Sequence, residues 1–310
     1  MNKFYMLVGL PGSGKSTISN ELNGEVFSSD ALRKELWGDE NTQGDNTLLF
    51  NELHKRIEKG LKEGKNCIYD ATNINAKKRI QFLNKIKNIK CEKICILVAT
   101  DFNVCLQRNN LRERKVPYEV IKRMYFNIDI PQYREGWDKI IIKRTQDEMN
   151  DYDIFKFVDY LETINHDNPH HLLTIGGHIQ AVVKYIMDNY QFKFAGDIER
   201  LECLLRAALY HDIGKKITKT FINSKGEKTE VAHYYNHEKV SAYMYIMYEH
   251  IEELKDVDKI LYIADLIGLH MKMHCYNGDK EKAYERIRKL VGQREFEDLC
   301  ILNEADIICG

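Results

Sequence analysis

The segment Gly9-Leu-Pro-Gly-Ser-Gly14-Lys15-Ser16 constrains this chain more than any other feature. It fits GxxxxGK[ST] and lies between an apolar β-like run and a helical pattern, the context in which such a loop cradles nucleotide phosphates. Glycines let backbone N–H groups turn inward onto an anion, and the start of a helix adds partial positive charge. The expected nucleotide contacts are Gly9, Gly12, Ser13, Gly14, Lys15, Ser16 and Thr17. Lys15 is expected to reach the β- and γ-phosphates, and the Ser16 hydroxyl to bind Mg²⁺. ATP or another nucleoside triphosphate with Mg²⁺ is the expected cofactor.

The first half of the chain alternates strand-like and helix-like segments. Strands are expected over Lys3–Val8, Glu25–Ser28, Asn66–Tyr69, Lys93–Ala99 and Lys139–Lys143. Leu49, Leu53, Ile57 and Leu61 recur at four-residue spacing and predict a helix over Leu48–Leu61. Alternating βα units imply a parallel sheet sandwiched by helices. Thr145–Asp153 is polar and acidic, and beyond Asp159 the pattern is helical apart from Thr220–Glu230, which reads as an exposed loop or hairpin. The reading is an α/β domain over 1–148, a linker over 149–158 and an all-α domain over 159–310. A length of 310 residues suits two domains.

Composition excludes some classes. Lys+Arg (46) and Asp+Glu (47) nearly cancel, so net charge does not announce a nucleic-acid binder, although a local basic patch can hide in a neutral total. Eight scattered cysteines without a CxxC pair read as reduced thiols, and apolar runs are too short for a membrane span or a signal peptide. A cytoplasmic protein is expected, with oligomeric state open.

Three further segments narrow the chemistry of the first half. Asp30 follows the second strand, where a carboxylate could accept a proton from an attacking hydroxyl or simply cap a helix. Arg33, one turn on, could hold an acceptor phosphate. The strand ending in Asp70 offers a carboxylate for Mg²⁺, with Thr72 and Asn73 as substrate contacts or Asn73 as a helix cap. Residues 108–123 hold six basic groups against two acidic ones, either a lid over the phosphates or a solvated face. Together these segments resemble the P-loop polynucleotide 5′-kinase family over residues 1–145. The resemblance implies Asp30 as general base for a 5′-hydroxyl and Arg33 on the acceptor's 3′-side phosphate. It implies Lys15 and a lid arginine among the catalytic groups, with Arg108, Arg112 and Arg114 on the donor phosphates. Arg112 is favoured over Arg114 for that catalytic role.

The second half is rich in imidazole and carboxylate, donors that suit divalent transition ions. His178, His211, Asp212, His237, His270 and Asp306 are the candidates; adjacent His211 and Asp212 can face one site only if other helices deliver partners. His233 and His274 lie close enough in sequence to compete as ligands, whereas His54, His166, His170 and His250 are expected at the surface. Over residues 159–310 the pattern resembles the HD-domain metallophosphohydrolase superfamily. That resemblance implies one or two divalent ions (Mn²⁺, Ni²⁺, Co²⁺ or Fe²⁺). His178, His211, Asp212 and Asp306 would hold the first, and His237, His270 and a bridging Asp212 the second, with His171 and Lys215 on the scissile phosphate. Asp306 lies four residues from the C-terminus, so a less buttressed site or a trimmed chain is expected.

A 5′-kinase joined to a phosphohydrolase suits the healing of broken RNA or DNA termini. One half adds a 5′-phosphate. The other removes a 2′,3′-cyclic, 2′- or 3′-phosphate, and a separate RNA ligase would seal the product. Bifunctional healing proteins commonly place the HD part first, the reverse of this chain. The alternatives are a small-molecule kinase fused to a nucleotide phosphohydrolase, and an ATP-sensing regulatory module with a degenerate HD domain.

Overall fold

The computed structural model describes residues 1–39, 44–144, 153–169, 172–249, 256–274 and 279–310. The chain divides into two compact units, Met1–Glu148 and Met149–Gly310. In the first, the elements run β1 (Asn2–Val8), α1 (Lys15–Glu21), β2 (Glu25–Ser28), α2 (Ser29–Trp37), α3 (Asn46–Lys62), β3 (Cys67–Asp70), α4 (Ala76–Lys85), β4 (Cys91–Ala99), α5 (Phe102–Asn110), α6 (Tyr118–Tyr125) and β5 (Lys139–Arg144). The sheet order is β2-β3-β1-β4-β5, and all four pairings are parallel.

β1 is therefore central, and the chain leaves it toward β3 on one side and β4 on the other. The carboxyl edge of such a sheet at the point of reversal is where ligands bind in open α/β folds. Leu7, Ile68, Ile94, Ile96 and Val98 form one buried apolar cluster. α3 lays Leu49, Leu53, Ile57 and Leu61 onto β2 and β3, the stripe expected from four-residue spacing, and Asp45 rather than Leu48 sets its start by capping Thr47 and Leu48.

A buried ion pair fixes the back of this unit. Arg79 of α4 donates to Glu135 through Nε (2.8 Å) and Nη2 (2.6 Å), while its Nη1 donates to the Asn73 carbonyl (2.9 Å). Trp137 Nε1 donates to the same carboxylate at 3.0 Å. Both charged side chains are essentially sealed from water, at 0% and 4% exposure.

The second unit contains α7 (Ile154–Leu161), α8 (Ile175–Tyr190), α9 (Ile198–Tyr210), α10 (Lys215–Thr218), β6 (Thr220–Ile222), β7 (Lys228–His233), α11 (His237–Tyr248), α12 (Val257–His274), α13 (Lys280–Val291) and α14 (Gln293–Cys309). The one exception to helix expected there, Thr220–Glu230, is met by β6 and β7, which form the antiparallel hairpin that Lys225-Gly226 allows. Helical structure begins earlier than Asp159. Asp153 caps Phe155 and Lys156, so α7 starts inside the expected linker and buries Val158 and Leu161. Among the described residues no helix is long and apolar enough to cross a membrane, and the seven described cysteines are free thiols.

Removing one partner of a buried, hydrogen-bonded ion pair leaves the other charge stranded, at a cost of about 3–5 kcal/mol. Arg79→Ala is expected to lower the stability of the first unit by about that amount. The check is urea unfolding followed by tryptophan fluorescence, since both tryptophans, Trp37 and Trp137, lie in that unit.

Candidate active sites: a phosphate-binding cleft and a histidine–aspartate centre

The loop after β1 is held open by its glycines. Gly12 has φ +82°, and a Cβ there would lie 2.3 Å from the Cys105 carbonyl oxygen, so no larger residue fits. Thr100 Oγ1 donates to the Ser13 carbonyl at 2.8 Å and ties the loop to the end of β4. Lys15 lies inside, donating to the carbonyls of Gly9 (3.0 Å) and Leu10 (2.6 Å). Burial pushes its ammonium down to about 8, countered in part by the charge of Asp70.

Ser16 Oγ donates to Asp70 Oδ2 at 3.2 Å, which brings together the hydroxyl and the carboxylate expected to share Mg²⁺. Burial pushes the Asp70 carboxyl up, with Lys15 and Ser16 pulling it back. Thr72 contributes its carbonyl to Gly9 N (3.0 Å). Asn73, at φ +46°, donates from Nδ2 to the Leu7 carbonyl (2.9 Å), latching β3 to β1. It does not cap α4; Asn75 does, accepting from Lys78 N.

Asp30 is not a helix cap either. Ser28 caps α2, accepting from the amides of Asp30 and Ala31. That leaves the Asp30 carboxylate free to meet the lid, and Arg114 Nη1 donates to its Oδ1. Arg33 lies one turn along, 8% exposed, with its guanidinium 3.4–3.5 Å from Asn46 Oδ1 and over the Trp37 ring. The lid is the turn between α5 and α6. Asn109 pins its base in both directions, donating to the Val116 carbonyl and accepting from Val116 N, each at 2.9 Å.

These groups line one cleft of about 1370 Å³, larger than the roughly 300–1,000 Å³ of a typical small-molecule pocket. Its wall carries Lys15, Arg33, Lys78, Arg79, Lys85, Arg108, Arg112, Arg114, Lys115 and Arg123 against only Asp30 and Asp70. His54, expected at the surface, is half-buried in this wall, with Nε2 3.0 Å from the Tyr69 hydroxyl and its ring 4.4 Å from Phe82. The reason is its position on the inner face of α3, one residue from buried Leu53.

In the second unit five segments converge. α8 supplies His178, the end of α9 supplies His211 and Asp212, and the start of α11 supplies His237. α12 supplies His270, and α14 supplies Asp306. Gly214 makes this convergence possible. A Cβ there would sit 2.5 Å from the His237 carbonyl oxygen, and its own amide donates to Ser241 Oγ at 2.9 Å. No side chain fits between Asp212 and the start of α11.

Asp212 divides its oxygens between two histidine pairs. Oδ2 lies 3.4 Å from Nε2 of both His178 and His211; Oδ1 lies 3.1 Å from His237 Nε2 and 3.8 Å from His270 Nε2. Asp306 Oδ1 completes the first group at 2.9 Å from His178 Nε2. The backbone sets the tautomers. Nδ1 of His211, His237 and His270 lies 2.6–2.8 Å from the carbonyl three residues before it, and His178 Nδ1 lies 3.2 Å from the Cys309 carbonyl. A ring that donates from Nδ1 presents its Nε2 lone pair inward.

Within each pair the two Nε2 atoms are 3.3 Å apart. Lys215 Nζ lies 2.6 Å from Asp212 Oδ2, yet not in hydrogen-bond alignment, so this buried oxygen has no hydrogen-bond partner. Imidazole nitrogens gathered around the two oxygens of one buried carboxylate fit one or two shared divalent cations. The described residues form two such groups, His178–His211–Asp212–Asp306 and Asp212–His237–His270.

Burial lowers His211, and lowers His270 to about 3, which keeps both in the neutral, ligating form. Burial would raise the Asp212 carboxyl, but Lys215 and the imidazoles outweigh it and hold it well below the usual range.

Asp306 is firmly buttressed despite its place near the chain end. It is 8% exposed, and its second oxygen, Oδ2, lies 2.8 Å from His274 Nε2. His274 thus touches a proposed ligand and falls outside both groups. His233, also outside them, stacks on Tyr235. His166 is buried rather than exposed, with Nδ1 2.8 Å from the Leu173 carbonyl and its ring edge-on to His178. The segment before α8 folds back on itself through Ile175 N to the Ile164 carbonyl (2.9 Å), a long-range pairing that periodicity does not signal. His170, His171 and His250 lie outside the described residues.

Residues 4–131 match the family model described as AAA domain, and residues 174–308 match the one described as HD domain. The chain is similar to L-seryl-tRNA(Sec) kinase of Methanococcus maripaludis, 29% identical over 158 residues. That match covers 47% of this chain and 60% of the relative, so the chain spans less than two thirds of the relative's length. Among solved structures it is similar to one described as a kinase of Chloroflexus aurantiacus (15% identical, 47% and 89% of the two chains, TM-score 0.38). Another is a sugar kinase of Janibacter sp. (15% identical, 46% and 86%, TM-score 0.35). The first unit is an α/β unit with a parallel sheet that matches the AAA-domain model, and the second is a mostly helical region that matches the HD-domain model.

The split of Asp212 between two groups has a measurable consequence. After loading with Mn²⁺ and desalting, His270→Ala is expected to keep about one ion fewer per chain than the parent, and Asp212→Ala to retain close to none. Metal analysis with circular dichroism on the same samples checks this.

Proposed function

We propose that this chain heals nucleic-acid ends. Its first unit moves the γ-phosphoryl group of a nucleoside triphosphate to a 5′-hydroxyl, and its second removes a 2′,3′-cyclic, 2′- or 3′-phosphate. The observation that carries the reading is the cleft wall, where nine basic side chains, leaving aside Arg79 with its buried partner Glu135, face two carboxylates, and one of these, Asp30, lies near Arg33. A neutral acceptor has no use for that excess of charge once the triphosphate is held; a nucleotide chain end brings phosphates that match it.

In this reading Lys15 and the loop amides hold the donor, and Ser16 with Asp70 orients Mg²⁺. Arg33 fixes the acceptor phosphate. Asp30 accepts the hydroxyl proton as oxygen attacks phosphorus. In the second unit the six donor side chains would hold divalent ions, which supply the charge stabilisation that phosphoester hydrolysis needs. Lys215, 5% exposed beside Asp212, would take a phosphate oxygen in this reading. RNA or DNA termini are the proposed partners, with a separate ligase to seal them.

A second reading is favoured by the relative named L-seryl-tRNA(Sec) kinase. There the acceptor hydroxyl belongs to some other RNA-borne group or to a small molecule. The regulatory alternative fits less well, because Lys15, Ser16, Asp70 and both histidine groups are intact and correctly juxtaposed.

An RNA oligonucleotide carrying both a 5′-hydroxyl and a 2′,3′-cyclic phosphate separates these readings. With ATP and Mn²⁺, Asp30→Ala is expected to lose 5′-phosphorylation by at least about 10²-fold, the scale of a general base, and to keep 3′-end hydrolysis. Asp212→Ala is expected to do the reverse. Transfer to a nucleoside, sugar or aminoacyl-RNA in preference to the oligonucleotide would move the assignment to the second reading.

A further inference from the structure

We propose that Arg114 is an acceptor-side residue that masks the general base Asp30 until a phosphate-bearing acceptor draws it away, thereby limiting phosphoryl transfer to water. The inference rests on the kinase reading above and assigns Arg114 a role distinct from that of Arg112, two residues earlier.

The two arginines meet different groups in the cleft. Arg112 lies where its charge is felt by Lys15 and Asp70, the groups around the triphosphate. Arg114 donates from Nη1 to Asp30 Oδ1, and its charge is felt by Arg33. One guanidinium thus holds the carboxylate while a second, Arg33, is near enough to feel both charges, and the local excess of positive charge is the complement of an acceptor phosphate. A carboxylate oxygen that accepts from Arg114 is a poorer proton acceptor for a hydroxyl or for water.

The lid is built to release this contact. Asn109, 3% exposed, holds Val116 by two hydrogen bonds and so closes a loop of which Arg114 is near the tip. Leu111 in that tip is 88% exposed, so the tip carries little buried surface to hold it down. The ion pair itself is only partly buried, with the two side chains 18% and 38% exposed, in the range where such pairs contribute at most about 1 kcal/mol. An arriving phosphate, which offers Arg114 a stronger charge-assisted partner, displaces Asp30.

The step balances without further reactants. The acceptor phosphate takes Arg114 and Arg33, and freed Asp30 takes the hydroxyl proton. The hydroxyl oxygen bonds to the γ-phosphorus as the bond to the β-bridging oxygen breaks, and the nucleoside diphosphate leaves. With no acceptor present, water meets a base already engaged by Arg114.

The test measures release of labelled phosphate from ATP with no acceptor, beside transfer to a 5′-hydroxyl oligonucleotide. Arg114→Ala is expected to raise acceptor-independent hydrolysis about fivefold, the factor that about 1 kcal/mol represents. It is also expected to raise KM for the oligonucleotide and leave KM for ATP unchanged. Adding Asp30→Asn is expected to abolish the excess hydrolysis. Arg114→Lys, which keeps the charge but not the planar two-pronged donor, is expected to fall between parent and Arg114→Ala, separating masking from gross loss of the lid. Hydrolysis equal to or below that of the parent in Arg114→Ala overturns the proposal, as does a raised KM for ATP with an unchanged KM for the oligonucleotide. If the parent transfers nothing to the oligonucleotide, the end-healing reading fails by itself, and the hydrolysis comparison still decides whether Arg114 masks Asp30.

Discussion

Asp212 is the constraint on which the second unit depends. Its side chain is 1% exposed, and its two oxygens face two different histidine pairs delivered by α8, the end of α9, α11 and α12. A buried carboxylate is costly unless it is paired and hydrogen-bonded, and here the pairing is distributed over four imidazoles and Lys215. The helices are thereby required to arrive at one point, and Gly214 supplies the close approach that lets α11 do so. The inward face of each ring is fixed in turn by a backbone carbonyl at Nδ1, so the centre is oriented by main chain rather than by other side chains.

The first unit solves a different problem, that of keeping two carboxylates near a polyphosphate site without repelling the ligand. Asp70 is buried at the end of β3 beside Ser16, while Asp30 is half-exposed at the start of α2 beside two guanidiniums. They follow neighbouring strands, and the parallel sheet sets them at one edge. The latch from Asn73 to the Leu7 carbonyl and the sealed Arg79–Glu135 pair hold the β3–α4 connection that forms the floor of the cleft. Function is thus placed on loops whose bases are rigid, the usual division of labour in open α/β sheets.

The five strands were legible from apolar runs to within one or two residues, and α3 from its four-residue spacing, because burial on one face leaves a period in the sequence. The histidine–aspartate set was legible as a list of ligand types, and the structure brings all six together. The roles of Asn73, Asn109 and Arg114 were not legible, since each rests on a partner chosen by tertiary geometry: Leu7, Val116 and Asp30. His54 and His166 were read as surface residues for the same reason; single histidines carry no periodic signal, and only the folded chain shows what packs on them.

By itself the sequence determined that a strand, a glycine loop and a helix start at Lys15 would follow one another, because those residue types leave the backbone little else to do there. It also determined that a neutral-to-acidic donor set suited to divalent ions would exist in the second half. Tertiary structure decided which oxygen of Asp212 faces which pair, which lid arginine meets Asp30, and that Ser28 rather than Asp30 caps α2. Those outcomes turn on distances of a few ångströms between residues far apart in the chain, and such distances are fixed by helix packing and loop closure rather than by local propensity.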